Sequence, residues 1–384
     1  MNRKTQPYRD ALVETLVAQG DLSSEQIKAA FATVPRHLFI TASYERQGDA
    51  WQQRPAIMSE EWYQRVYRNQ ALITLVDGAG RVLSSSSQPG IMARMLELLD
   101  LQPGKRVLEI GTGTGYNAAL LAAIVGESGQ VVTVDIEAEI VEGARQHLRD
   151  AGYERVQVIH GDGRTGYPPA APYDRIIATA SSFSVPEAWY EQVTPEGRVV
   201  CVIQPGISMA GGVMQAARTP DGLTGRLVQE ASFMPLHHEH FRHSPANRPH
   251  LTLSESVFAA FPLTTRLFDP AVIWTSAFQF FLFTSLPTLR IVEQTRADHR
   301  TSTLLYEEPQ PGQHVAFFQE EGQDRVELRG EAALSLWTRL IRIYTVWVAL
   351  DRPAITSYLF KMKPGEQQHL YLAGERGMVW PFLS

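Results

Sequence analysis

Apolar residues recur at helical spacing over residues 8–34, with Leu12, Leu16 and Val17 on one stripe and Ile27, Ala30 and Phe31 on a second. Asp21 or Ser23 is placed to cap the second helix, and Pro35 ends it. Residues 45–87 hold no period and read as polar, aromatic and irregular, closing on the run Ser84 to Ser87. A third helix is expected after Pro89, with Ile91, Met95, Leu98 and Leu99 on one face. From Lys105 the pattern changes. Short apolar runs suited to buried strands (RVLEIG, VVTVDI, VQVIHGD, YDRIIATA, GRVVCVIQ) alternate with helical stretches, of which YNAALLAAIVG stops at Gly126 and AEIVEGARQHLRDAG at Gly152. Strands at this spacing imply βαβ units and an α/β fold with a parallel, doubly wound sheet.

Beyond Gln229 the pattern breaks again. ASFMPLHHEHFRHSPANRPH is rich in histidine and proline and reads as a boundary. Farther on, strands such as HVAFFQ and RVELRG accompany one long helix from Glu331 to Leu350, limited by Pro353, with Leu334, Trp337, Leu340, Ile341 and Tyr344 on its apolar face. The run Trp274 to Leu286 is too short for a bilayer and contains Gln279, so it reads as core, with Phe278, Phe280, Phe281 and Phe283. The expected organisation has N-terminal helices and a loop over residues 1–90, the doubly wound domain over 91–236, a linker over 237–249 and an appended α+β domain over 250–384.

Composition narrows the class. A chain of 384 residues suits two domains, and 44% apolar with 20% charged residues is the balance of a soluble globular protein. A net charge of −6 gives no general grip on nucleic acid or anionic membrane. No apolar stretch follows MNRKTQPYRD, so no signal peptide is expected and a cytoplasmic location is the default. The single cysteine, Cys201, excludes an internal disulfide framework and sits in an apolar strand as core.

The chemistry concentrates in Val107-Leu-Glu-Ile-Gly-Thr-Gly-Thr-Gly-Tyr116. A strand delivers an acid, Glu109, into a turn with Gly111, Thr112, Gly113 and Gly115. This is G-x-G-x-G, whereas a dinucleotide site prefers G-x-G-x-x-G, whose third glycine admits a pyrophosphate. S-adenosyl-L-methionine has no phosphate, and its sulfonium and ammonium favour a nearby carboxylate. Glu109 is expected to supply that field or to orient the amino-acid end through water. Asp135, followed by Ile136, ends the second strand 20 residues after Gly115, where an acid can accept both ribose hydroxyls. Asp162, between Gly161 and Gly163, ends the third, where a side chain can meet the adenine edge. Three acids at successive strand ends share the rim where open α/β sheets bind ligands.

The stretches LEIGTGTGYNAALLA, VVTVDIE and HGDGRTGYPPAAPYDRIIATAS resemble the protein-L-isoaspartate O-methyltransferase family, as do VPRHLF at 34–39, SQP at 87–89, PEGRVV at 195–200 and SFMPL at 232–236. The resemblance covers roughly residues 10–236. It implies a class I S-adenosylmethionine-methyltransferase sheet and a carboxylate acceptor on a peptide or protein. The family's Thr-aliphatic-Ser-x-Pro loop over the acceptor falls on Ser85, Ser86, Ser87, Gln88 and Pro89, so Ser87 inherits the catalytic serine. Ser85 replaces threonine and Ser86 an aliphatic residue. A carboxylate is ionised near neutral pH, so placement rather than a strong base is required and no Ser-His-Asp triad is sought. The methyl ester can then close to a succinimide, an aspartimide that opens to aspartate or isoaspartate.

Two acceptor readings follow. The altered serine loop and the extension beyond residue 236 favour the C-terminally extended relatives of ribosomal-peptide biosynthesis (graspetides and lanthipeptides), which methylate an aspartate of a macrocyclised precursor peptide. The alternative is repair of isoaspartyl damage in cellular proteins. A binding module without catalysis is a third, remote reading, and no motif for methylating a nucleic-acid base is present. His237, His238, His240 and His243 beside Glu239 invite a metal, but HHEHFRH is not HExxH and prolines flank it, so a solvated segment is expected. Asp298 and His299 read as a surface charge pair. Residues 250–384 are expected to bind or shape the peptide acceptor.

Overall fold

The computed structural model describes residues 3–48, 50–206, 210–236, 257–263, 267–295, 301–307, 313–318, 324–373 and 379–381. The chain begins with α1 (Gln6–Ala18) and α2 (Glu25–Thr33), whose Leu12, Leu16, Ile27, Ala30 and Phe31 are buried as the spacing requires, while Val17 faces solvent. The stretch 45–87 is not irregular. It holds β1 (Ala42–Gln47), β2 (Ala50–Pro55), α3 (Glu60–Val66), β3 (Leu72–Val76) and β4 (Val82–Ser86), whose strands form an antiparallel sheet in the order β2-β1-β3-β4. The sequence hides these strands because they lack a clean buried face. Every residue of β2 except Trp51 is exposed, so no apolar alternation marks it. Helix α4 (Pro89–Leu99) follows. Its Glu97 accepts from the N–H groups of Ser23 and Ser24 at 2.7 Å each, so a distant carboxylate, rather than Asp21 or Ser23, serves the start of α2.

The alternating region forms the expected units: β5 (Arg106–Ile110), α5 (Tyr116–Val125), β6 (Gln130–Asp135), α6 (Ala138–Asp150), β7 (Gln157–His160), β8 (Tyr173–Ser182), α7 (Glu187–Gln192) and β9 (Val193–Ile203). Strands β7-β6-β5-β8-β9 lie parallel in that order, and β10 (Gly212–Thr219) and β11 (Gly222–Glu230) continue the sheet antiparallel. Connections run in opposite directions from β5, which opens a crevice at the carboxyl ends of β5 and β8.

The boundary drawn at residue 250 does not isolate the rest of the chain. Strands β12 (Val257–Pro262), β13 (Leu289–Thr295), β14 (Thr301–Glu307), β15 (His314–Phe318) and β16 (Arg325–Arg329) form a second antiparallel sheet, ordered β12-β16-β15-β14-β13, with α8 (Ser276–Ser285) and α9 (Ala332–Ala349). Aromatic rings join these parts: Phe278 meets Trp347 at 5.0 Å and Phe268 meets Tyr344 at 4.9 Å between centroids. Trp337, Leu340 and Tyr344 are buried, but Leu334 is turned to solvent. The chain then returns. Strands β17 (Tyr358–Met362), β18 (His369–Leu372) and β19 (Val379–Pro381) extend the central sheet from β11. One apolar cluster accordingly runs from Leu108 and Met214 through Phe360 to Phe278 and Trp337.

This returning segment also holds loops of the first part. The Gln368 side chain accepts from Val185 N–H at 2.8 Å and donates to the Val185 carbonyl, acting as a one-residue strand partner. Gly365 N–H donates to Glu187 at 2.9 Å, and Gly206 packs so closely on Phe283 that a Cβ would fall 2.5 Å from its ring. His237 to His243, the linker 237–249, Asp298 and His299 lie outside the described residues. Among the described residues no helix is long and apolar enough to cross a membrane.

The integration of β17 has a measurable consequence. Phe360 is fully buried between the two sheets, so Phe360→Ala is expected to lower stability by about 3–5 kcal/mol in urea denaturation, in a single transition followed through the whole chain. Two separate transitions, with only one shifted, would show that the C-terminal part unfolds on its own.

Candidate active site

The glycine turn after β5 is built for close approach. Gly111 (φ +92°) and Gly113 (φ +50°) take left-handed backbone that a side chain would strain, and a Cβ on Gly111 would come within 2.8 Å of Thr179 Oγ1. Both line a cavity of about 1230 Å³ at the carboxyl ends of β5, β6 and β8, with Thr112, Asp135 and Ile136. Gly115 does not line it. It starts α5 at φ +85°, where its missing Cβ makes room for Ala144 and Leu148.

Glu109 stands behind this wall rather than in it. It has no exposed surface and accepts hydrogen bonds from Thr133 Oγ1 (2.6 Å) and Asn117 Nδ2 (2.7 Å). Thr133 spends its proton on Glu109, so Thr112 Oγ1 must donate to Thr133 across 2.8 Å. One buried acid thereby ties β5, β6, α5 and the glycine turn. Its burial leaves it no direct contact with the cavity. Desolvation pushes its carboxyl from 4.5 up to about 7, against the lowering effect of the two hydrogen bonds.

Asp135 does reach the cavity. Its Oδ2 accepts from Gly113 N–H at 3.0 Å and its Oδ1 from Glu137 N–H at 3.2 Å, which aims the carboxylate along the rim; burial raises its pKa. Gly163 lines the cavity, but Gly161 and Asp162 do not. The Asp162 carboxylate turns to Arg164, accepting from its backbone N–H (2.9 Å) and guanidinium (2.6 Å), so it caps a short 3-10 turn instead of lining the cavity.

Ser85, Ser86, Ser87 and Gln88 line the same cavity, while Pro89 is buried as the first residue of α4. What holds this loop is Arg36, in the VPRHLF stretch. Its guanidinium is fully buried and donates to the carbonyls of Val66 (2.9 Å), Arg68 (3.2 Å), Gln70 (3.3 Å) and Ser87 (3.0 Å) and to Ser86 Oγ (3.2 Å). The Ser86 hydroxyl is thus engaged by a buried cation, as one of three acceptors around Nη2. Burial lowers the Arg36 pKa to about 10, still charged at neutral pH.

Two further walls complete the cavity. Ala231 to Leu236 close one side, fixed by Ser181, whose N–H donates to the Met234 carbonyl and whose carbonyl accepts from Leu236 N–H, both at 2.8 Å. The sheet β1–β4 closes the other with Trp51 and Arg46, and Trp51 Nε1 donates to the Gly80 carbonyl at 2.9 Å. The SFMPL stretch pointed to the first wall; no local signal marks Trp51. A ligand with a hydroxylated ring, an adenine and an amino-acid end matches this donor and acceptor set. The wall offers a carboxylate at Asp135 and a turn without side chains at Gly111 and Gly113. These residues fit S-adenosylmethionine.

Comparison with known proteins agrees with that fit. The family model described as Protein-L-isoaspartate(D-aspartate) O-methyltransferase matches residues 7–240. A protein-L-isoaspartate O-methyltransferase of Ignicoccus hospitalis is 35% identical over 227 residues, 59% of this chain and 95% of that relative. One of Aeropyrum pernix is 38% identical over 244 residues, 62% of this chain and 84% of that relative. A solved structure of a protein-L-isoaspartate O-methyltransferase aligns with TM-score 0.57 at 26% identity, covering 95% of this chain and 99% of that one.

The Glu109 network predicts a pH dependence. Below pH 4.5 the carboxyl is protonated in both the folded and unfolded chain and costs nothing. Between 4.5 and about 7 the unfolded chain releases a proton that the folded chain keeps, so stability falls as pH rises. Above about 7 a penalty of about 3 kcal/mol persists. Glu109→Gln is expected to gain on the wild type by up to that amount between pH 4.5 and 8 in denaturant melts without ligand. A difference that stays flat over this range would remove Glu109 as the titrating group.

Proposed function

This chain belongs to the protein-L-isoaspartate(D-aspartate) O-methyltransferase family, and on that premise we propose that it methylates the free carboxylate of an isoaspartyl residue in a protein or peptide, with Ser87 at the acceptor. S-adenosylmethionine supplies an electrophilic methyl group. The chain's own residues supply placement. Asp135 holds the ribose hydroxyls, the turn at Gly111 to Gly113 lets the cofactor lie against the backbone, and Ile136 and Gly163 border the adenine. Arg36 fixes the Ser87 peptide, so that the Ser87 hydroxyl can hydrogen-bond an acceptor oxygen. An ionised carboxylate needs no base to become a nucleophile, and the cavity walls keep it from water.

The observation that carries the choice of acceptor is the alignment of a solved protein-L-isoaspartate O-methyltransferase over 95% of this chain. The region beyond residue 236 is therefore shared with a protein of that name, and its presence no longer favours a precursor peptide. Ser86 loses weight as well, since its hydroxyl is engaged by Arg36. What still supports the precursor-peptide reading is Ser85, which lines the cavity where the family carries threonine.

The test is methyl transfer from isotopically labelled cofactor to a linear isoaspartyl peptide, its aspartyl twin and a macrocyclised aspartyl peptide. Turnover of the isoaspartyl peptide alone is expected. A mass gain of one methyl and then loss of methanol on the macrocycle alone would install the second reading. Ser87→Ala is expected to lower kcat on the isoaspartyl peptide roughly 10- to 100-fold, the worth of one hydrogen bond to a charged group. Cofactor affinity, read by calorimetry, should stay within twofold.

A further inference from the structure

The acceptor end of the cavity carries cations that methyl transfer itself does not need. Arg46 on β1 is paired directly with Trp51 on β2, and both line the cavity. Sheet register gives their distance from the acceptor serine. Tyr44 on β1 pairs with Ile73 on β3, and Ile73 pairs with Ser85 on β4. Strands β1 and β4 flank β3 and run in the same direction, so two residues farther on Arg46 comes level with Ser87. Two strand spacings, about 10 Å, separate their backbones. The Arg46 guanidinium lies over the Trp51 ring, 6.0 Å from its centre. That ring is itself held, because its Nε1 donates to the Gly80 carbonyl at the turn of the other hairpin. Arg81, from the same turn, also lines the cavity. Among the described residues of this sheet and its turns the acids are engaged elsewhere, Asp77 with Arg81 at 2.6 Å and Glu45 with Arg54 and Arg65.

We propose that Arg46, steadied by Trp51, is a specificity-determining residue that selects acceptor polypeptides carrying an aspartate or glutamate within about three residues of the methylated one. This deepens the isoaspartyl reading above and rests on it. An extended chain rises about 3.3 Å per residue. A segment passing from Ser87 toward Arg46 therefore brings its second or third neighbour within reach of the guanidinium. A guanidinium is a planar fork that matches a carboxylate. Its stack on a fixed ring limits the rotamer freedom that an exposed arginine would otherwise lose on binding. The wider field points the same way. Arg36 lies buried under the serine loop and Arg46 and Arg81 stand in the wall beyond it, whereas Asp135 and Glu137 gather at the cofactor end. In a chain of net charge −6 this local excess of cations runs against the general balance. It draws acidic segments toward the acceptor end over about a Debye length.

The test is steady-state methylation by the full chain of three linear isoaspartyl peptides. They are identical except for glutamate, glutamine or lysine at the second and third positions on either side of the acceptor. The wild type is expected to show a KM about fivefold lower for the glutamate peptide than for the glutamine peptide, the upper range for a partly exposed charge pair, with a common kcat. The advantage should shrink between about 0.1 M and about 1 M salt, where the screening length falls from about 10 Å to about 3 Å. Arg46→Gln should bring the glutamate-to-glutamine ratio of KM toward one. Arg46→Lys, which keeps the charge and loses the fork, should retain part of the preference, and so should Trp51→Phe, which keeps a ring and loses the bond to Gly80. Each ratio is read within one variant, so a general loss of folded enzyme cannot imitate the effect. A preference that survives intact in Arg46→Gln, or a wild type that does not distinguish the peptides, overturns the proposal. So does a preference for the lysine peptide, which Asp21, lining the cavity against Gly90 of α4, would produce. Failure of the wild type to methylate any of the three removes the isoaspartyl reading itself, and this inference with it.

Discussion

A buried guanidinium is the constraint on which the acceptor half of this molecule depends. The two terminal nitrogens of Arg36 make five contacts to carbonyl and hydroxyl oxygens, and its Nε meets none. Burying such a charge is tolerable only when its donors are met almost completely, so the oxygens that meet them are not interchangeable. They come from the end of α3, from the segment leading to β3, and from the serine loop itself. Two stretches, 66–70 and 86–87, are fixed relative to one cation, and Ser87 inherits its place from that arrangement. The Arg36 side chain also lies 5.7 Å from the centre of the Tyr116 ring, at the start of α5, so the same residue touches both the acceptor loop and the cofactor turn.

The cofactor half has a different logic. There a buried acid, Glu109, organises the wall from behind through Thr133 and Asn117. A cation under the acceptor and, above about pH 7, an anion behind the donor give the cavity two opposed poles. That polarity suits a reaction in which a carboxylate must approach a cationic sulfonium. Neither charge faces the ligand directly, so each is shielded from solvent and keeps its field in a medium of low dielectric. The sheet provides the frame for both, since its switch between β5 and β8 opens the crevice that the two poles flank.

Much of this was legible in the sequence. The five parallel strands and the helices between them announce themselves through apolar runs and glycine stops. Asp135, Gly111, Gly113 and Ser87 stand where the motifs put them. The failures have physical causes. The strands β1 to β4 are too exposed to show alternation, and the sheet β2-β1-β3-β4 was read as loop. A strand-end acid looks the same on paper whether it faces a ligand or a neighbour, and Glu109 and Asp162 both face neighbours. The division at residue 250 failed because β17 finds its partner, β11, more than a hundred residues upstream; local pattern carries no trace of such a pairing.

Gln368 holds Val185 across 183 residues of chain, and this separation has a meaning in time. During synthesis at about 5–20 residues per second, the loop after β8 leaves the ribosome roughly 9–37 seconds before the side chain that clamps it. The strands of the parallel sheet can assemble in that interval, while the loop after β8 waits for its last contacts. That loop is held by a segment made long after it, so a nascent chain with its parallel sheet formed still lacks one of its buttresses.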